Sequence, residues 1–180
     1  MTNSLGSIQF EALPKSIAEF ISLRDQLAQT PQGGAAVMIA ALLAFGEDEE
    51  LGMQCLTVAV DRERLQEGTG GYKGWELRVR DRRLIESQLR GKAHILRSYI
   101  QGTYPDGGYA LAVPPYEIAF SANPYSGDVE SGKFKVFVDS SGADTTRPVG
   151  MRRNNRGVWK ALEWSSLLVG VRAGPVDDDL

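Results

Sequence analysis

The stretch Ala35-Ala36-Val37-Met38-Ile39-Ala40-Ala41-Leu42-Leu43-Ala44-Phe45 decides the fold class. It holds eleven consecutive apolar residues. A bilayer-spanning helix needs about 20, so the run reads as a core helix. A helix that is apolar on every side has no face for water and must be enclosed by other elements. Pro31 after Thr30 suits its first turn, where a missing N–H costs nothing. Gly33 and Gly34 weaken that turn, and Gly46 ends the helix.

Working outward, Ser16 and Glu19 have the spacing of a capping box. Ile17, Phe20, Ile21, Leu27 and Ala28 then recur at a helical period, which predicts a helix from about Ser16. On the other side, the acids Glu47, Asp48, Glu49 and Glu50 favour the positive end of a macrodipole. They predict a helix from about Glu49 to Val60, with Leu51, Cys55, Leu56 and Ala59 inward and residues 61–67 adding another turn. Gly68 to Gly74 reads as a flexible loop. Asp81 to Leu89 reads as a fourth helix, with Leu84, Ile85 and Leu89 inward and arginines outward.

After His94 the period changes from 3.6 to 2. Tyr116, Ile118 and Phe120 alternate with Glu117, Ala119 and Ser121. Phe134, Val136 and Val138 alternate with Lys133, Lys135 and Phe137. Both read as strands. Asn154-Asn155-Arg156-Gly157 is a turn cluster inside 151–160, so a hairpin is expected there. Thr103 to Pro115 reads as a long ordered loop, and Ser165 to Val171 as a final strand or a helical turn. Helices first and antiparallel strands later argue for an α+β domain, with N-terminal helices packed on a curved, mostly antiparallel C-terminal sheet. The layout is a loose lead-in with a little β character over residues 1–13, one domain over 14–173, and an acidic tail over 174–180 that frays.

The 180-residue, 19.7 kDa chain is the size of one domain. A single cysteine excludes a disulfide framework or a Cys-based zinc cluster, and a single histidine excludes any motif needing two. Met1 to Glu11 lacks the basic and apolar regions of a secretory signal, which predicts a cytoplasmic location. The net charge of −3 is unevenly spread. Residues 1–72 carry −6, residues 73–97 carry +5 and residues 98–180 carry −2. The basic block has the charge of an anion or nucleic-acid patch. An overall pI near 5.3 and the lack of interleaved aromatics over 78–92 favour arginines that face solvent or pair with carboxylates such as Glu63, Glu67 and Glu86. No specific nucleic-acid partner and no membrane partner is expected.

Each chemical motif has a plainer reading. Gly68 to Gly74 resembles a phosphate loop, but Lys73 is followed by Gly74 rather than a hydroxyl residue. His94, Ser140 or Ser141, and Asp144 are the residue types of a triad, without a nucleophile elbow around the serines. Cys55 sits on an apolar stripe and reads as a small buried hydrophobe. The acids 47–50 lack the spaced oxygens of a calcium loop. No catalytic residue, metal site or cofactor is assigned. Ser140 to Arg172 reads as a structural corner, with Ser140, Ser141 and Asp144 capping backbone groups and Arg147 able to pair with Asp144. Trp159 and Trp164, five residues apart, should point to opposite faces of a regular strand, one in the core and one nearer the surface, unless a bulge intervenes. An aromatic and arginine-rich surface is also the composition of an interface. The candidate binding residues are therefore Tyr104, Tyr109, Tyr125, Ser141, Asp144, Arg147 and Trp164.

Ser121-Ala122-Asn123-Pro124-Tyr125-Ser126, Ser140-Ser141-Gly142-Ala143-Asp144 with Arg147-Pro148, Trp159, and Glu163-Trp164 through Arg172 resemble an uncharacterised bacterial family of unknown function. Pro105 to Tyr109 belongs to the same pattern, and the likeness runs from about Leu13 onward. It implies a bacterial origin and no activity. Helices followed by a hairpin and a Trp-bearing strand are also similar to cone-shaped folds of the nuclear-transport-factor-2 type, an analogy that carries no function. The favoured reading is a cytoplasmic, non-enzymatic binding or accessory protein whose partner is a protein more readily than a small molecule. The alternative is a small-ligand pocket protein, or a small enzyme, using the concave face of the sheet. A concave pocket with convergent polar groups supports the alternative. A flat exposed patch of aromatics and arginines supports the first.

Overall fold

The structure is a computed structural model describing residues 1–176 and 179. Among the described residues there are five α-helices and seven strands. Helix α1 spans Ile17–Leu27, α2 Pro31–Glu47, α3 Glu49–Ala59, α4 Val79–Leu89 and α5 His94–Arg97. Strand β1 spans Asn3–Phe10, β2 Leu65–Tyr72, β3 Trp75–Leu77, β4 Tyr116–Ala122, β5 Lys133–Val138, β6 Arg147–Arg153 and β7 Trp159–Glu163. The fold is mixed α+β, with helices over one face of an antiparallel five-stranded sheet in the order β1-β4-β5-β6-β7.

Helix α2 is the axis of the molecule. Every residue from Ala35 to Phe45 is buried. It lies against β5, β6 and β7 on one side and against α1, α3 and α5 on the others. Thr30 caps it, its hydroxyl accepting from the Gly33 N–H at 3.1 Å. Gly34, which lowers helix propensity, is demanded by packing. A Cβ there would lie 2.6 Å from the Trp159 carbonyl oxygen, so α2 meets β7 at backbone distance. Ser16 caps α1 by accepting from the Glu19 N–H, and Glu19 reaches back to the Lys15 N–H. The sheet's inner face is the apolar half of each alternating pattern: Ile118 and Phe120, Val136 and Val138, Val149 and Met151, Trp159 and Ala161.

Four readings of the sequence change. Residues 1–13 supply more than a lead-in: β1 pairs along β4, and its Phe10 belongs to the core. Residues 61–67 do not extend α3. Val60 turns out and forms an isolated parallel bridge with Ala161, which covers the free edge of β7. Gly68 to Gly74 is not a flexible loop but part of the β2–β3 hairpin. Its turn places Lys73 at φ 49° and Gly74 at φ 81°, the primed geometry that fits strand twist. Trp159 and Trp164 are both buried, at 2% and 3% exposure. The pairing of β7 with β6 slips between Ala161 and Glu163, the bulge that the parity rule excepts; the strand ends at Glu163 and Trp164 turns with ψ 2°, so strand parity does not extend to it. Ser165–Leu168 is a 3-10 turn. Of the acidic tail, Asp177, Asp178 and Leu180 lie outside the described residues.

A cationic groove beside the edge strand

The predicted site residues fall in separate places. Tyr109 is buried, with φ 55°. Its hydroxyl donates to the Arg172 carbonyl at 2.6 Å, and its ring stacks on His94 at 5.7 Å. Ser141 donates its N–H to the Ser98 carbonyl at 2.9 Å, and its hydroxyl meets that of Thr103 at 3.1 Å. Arg147 donates to the Gly170 carbonyl at 3.0 Å and to Thr145, not to Asp144, which is exposed. Trp164 is buried with its indole N–H unpartnered. Tyr104 and Tyr125 are 60% and 84% exposed. Ser141 thus joins a hydroxyl-to-backbone network around Ser98, while Arg147 and Tyr109 tie down Gly170 and Arg172. Tyr125 and Asp144 stand outside it.

That network is a structural corner. Ser98 is buried, donates to the Ile95 carbonyl at 2.6 Å and accepts from Ser140 at 2.9 Å. Tyr99 donates to the Leu167 carbonyl at 2.7 Å, and burial pushes its phenol well above the usual range. The Ser140 and Ser141 hydroxyls are bonded to those of Ser98 and Thr103, and burial pulls the His94 imidazole down. Burial likewise pushes the Cys55 thiol up to about 12.

A cleft of about 410 Å³ lies between α3, α4 and the hairpin. Its two arginines are both paired, against three lining carboxylates, Glu49, Glu50 and Glu86. Arg90 grips Glu49 with two hydrogen bonds of 2.7 and 2.9 Å, and Arg82 meets Glu86 at 3.1 Å. Within the basic stretch 73–97, Arg90 and Arg97 pair with Glu49 and Glu47 of the acidic N-terminal third, and Arg82 pairs with Glu86 of the stretch itself. Arg80 and Arg83 are exposed.

The other side of α3 is different. Two adjoining clefts, of about 510 and 360 Å³, share Thr57, Arg62, Leu65 and Lys160 as walls. Arg152 and Arg153 from β6 line the first, and Arg24 from α1 and Lys73 from the hairpin line the second. Six basic side chains thus converge on one groove, against a single lining carboxylate, Asp61. That carboxylate is already engaged: Asp61 is buried and meets Arg152 at 3.2 Å. Among the described residues, Arg62, Lys73, Arg153 and Lys160 have no carboxylate within ion-pair distance. Arg62 lies flat over the Trp75 ring, 3.7 Å from its centroid, which holds the guanidinium in place.

Lys160 sits at the junction. It lies between inward-facing Trp159 and Ala161 on β7, so strand alternation turns it outward. The end of α3 and the hairpin then roof it, and its ammonium donates to the Val58 carbonyl. Burial pulls its pKa from 10.5 to about 8. The like charge of Arg24 adds to this, while Asp61 and Asp25 oppose it. None of the seven predicted binding residues lines this groove. Arg24, Arg62 and Lys160 belong to three elements, and no sequence spacing joins them.

Fold and groove together define an α+β protein with a helix-enclosed sheet and an electropositive cleft at its covered edge. The chain belongs to the family described as a domain of unknown function (DUF6935), which matches residues 12–174. No curated protein and no solved structure matches it. No helix among the described residues is long and apolar enough to cross a membrane.

Proposed function

We propose that this chain is a cytoplasmic bacterial binding protein, non-enzymatic, and that it holds a small anionic ligand in the groove around Lys160. The observation that carries the reading is the convergence of six basic side chains on a concave surface of a protein with net charge −3. Four of them lack a carboxylate partner among the described residues, so their charge is available to a ligand. A concave site with converging polar groups is the usual form of a small-molecule site. The protein-partner reading keeps one specific support: Tyr125 and Tyr104 expose large aromatic rings, the kind of side chain that anchors interfaces.

Calorimetric titration with pyrophosphate tests the proposal. Binding should weaken with added salt, and Arg62→Gln should reduce affinity by about tenfold or more, the worth of one charged hydrogen bond. Equal pyrophosphate affinity in the wild type and in an Arg62→Gln, Lys160→Gln variant overturns it.

A further inference from the structure

We infer that Lys160 captures a small carbonyl compound bearing an anionic group, through a reversible imine in the groove. The inference rests on the anion-groove reading for its choice of ligand, and on the surroundings of the amine for its chemistry. An imine needs an amine that reaches a cavity and spends part of its time unprotonated. Lys160 lines both clefts, so a ligand entering either one meets it. Its hydrogen-bond partner is the Val58 carbonyl, which leaves an uncharged amine still bonded. Among the described residues no carboxylate pairs with it to hold the proton on. The charged groups around it are Arg24 and Asp25 from α1, Asp61 and Arg62 after α3, Lys73 from the hairpin, and Arg152 and Arg153 from β6. Cations predominate, and Asp61 is neutralised by Arg152. Burial and Arg24 both favour the free amine, whose pKa of about 8 lies near neutral pH.

The step balances without an oxidant or reductant. The free amine of Lys160 attacks the carbonyl carbon. A C–N bond forms and the carbonyl oxygen leaves as water, taking up two protons, both from the nitrogen in the net reaction. The C=N product is hydrolysed by the reverse path. Arg62 and Lys73, on the wall of the same cleft and without a carboxylate partner among the described residues, provide the charges that hold a carboxylate or phosphate on the ligand, while Arg24 is paired with Asp25.

The test uses glyoxylate, an aldehyde carrying a carboxylate, with cyanoborohydride to reduce any imine to a stable amine. Butanal, an aldehyde without charge, is the comparison. Peptide mapping reads the labelling of Lys160 against the other lysines, Lys15, Lys73, Lys92, Lys133 and Lys135. Near neutral pH, Lys160 should be labelled about tenfold or more faster than those, since ordinary lysines hold their protons there. Glyoxylate should prefer Lys160 more strongly than butanal does, and Lys160→Arg should abolish the preferred adduct while the other lysines label as they do in the wild type. If both aldehydes prefer Lys160 equally, the imine stands and the anion groove fails. If neither prefers it, the imine is overturned, and the groove still stands or falls by pyrophosphate binding.

Discussion

The ammonium of Lys160 on β7 donates to the main-chain carbonyl of Val58, one residue before the end of α3. The bond joins the covered edge of the sheet to the helix that roofs it. A cation buried with a carbonyl as partner, and no carboxylate partner among the described residues, is held there against its solvation.

That burial fixes the sign of a pH effect. The unfolded lysine keeps its proton up to about pH 10.5 and the folded one only to about pH 8. Between those values the unfolded state binds more protons, so stability rises with pH across the window. Lys160→Met removes the buried charge. It should therefore raise stability near neutral pH, by a margin that shrinks as pH climbs from about 8 toward 10.5. Urea midpoints at both ends of the window check this, and a margin that grows with pH contradicts it.

Ile39 is fully buried at the centre of α2. Ile39→Ala should cost about 2–5 kcal/mol in equilibrium unfolding, because the enclosing elements can close the cavity only in part. A loss under about 1 kcal/mol would mean the helix is less tightly enclosed than its burial shows.

Two glycines of α2 should respond in opposite directions. Gly34→Ala drives a methyl group to within 2.9 Å of both the Trp159 backbone oxygen and its Cβ, and should destabilise by about 1–3 kcal/mol. Gly46 is exposed, and its nearest neighbour would be the Ala93 Cβ at 3.9 Å. Gly46→Ala should stabilise by about 0.5–1 kcal/mol through helix propensity alone. Thermal melts of the two variants, shifted in opposite directions, are the check.

Asp144 is exposed and stands outside the Ser98 network, so Asp144→Ala should stay within about 0.5 kcal/mol of the wild type. This reverses the capping role its position after a strand suggests. Ser98→Ala leaves the Ser140 hydroxyl without its acceptor and should cost about 1–3 kcal/mol. Denaturant curves of the pair separate corner from surface.

What could be read in the sequence was whatever periodicity records. Ala35 to Phe45 announces an enclosed helix because no residue in it tolerates water. Tyr116 to Phe120 and Phe134 to Val138 announce strands with one buried face. The β2–β3 hairpin was hidden because Gly68, Gly70 and Gly71 are poor strand formers. Its order comes from partners elsewhere, such as the Glu76 carboxylate, which accepts from the Gly70 N–H at 2.8 Å. Trp164 broke the parity rule because the strand stops one residue before it. Lys160 carries no signal of its own in the sequence, since alternation reports which way a side chain points and not that α3 and the hairpin come back to cover it. The groove is a tertiary object, drawn from α1, the turn after α3, the hairpin, β6 and β7.

The most direct test is a map of amide chemical-shift changes on titration with pyrophosphate. Saturable shifts at Val58 to Arg62, Lys73, and Arg152 to Lys160, lost in Arg62→Gln, are the expected result. Shifts centred instead on Ser98 to Tyr109 and Ser140 to Arg147, or no saturable shifts at all, would contradict the cationic groove as the binding site.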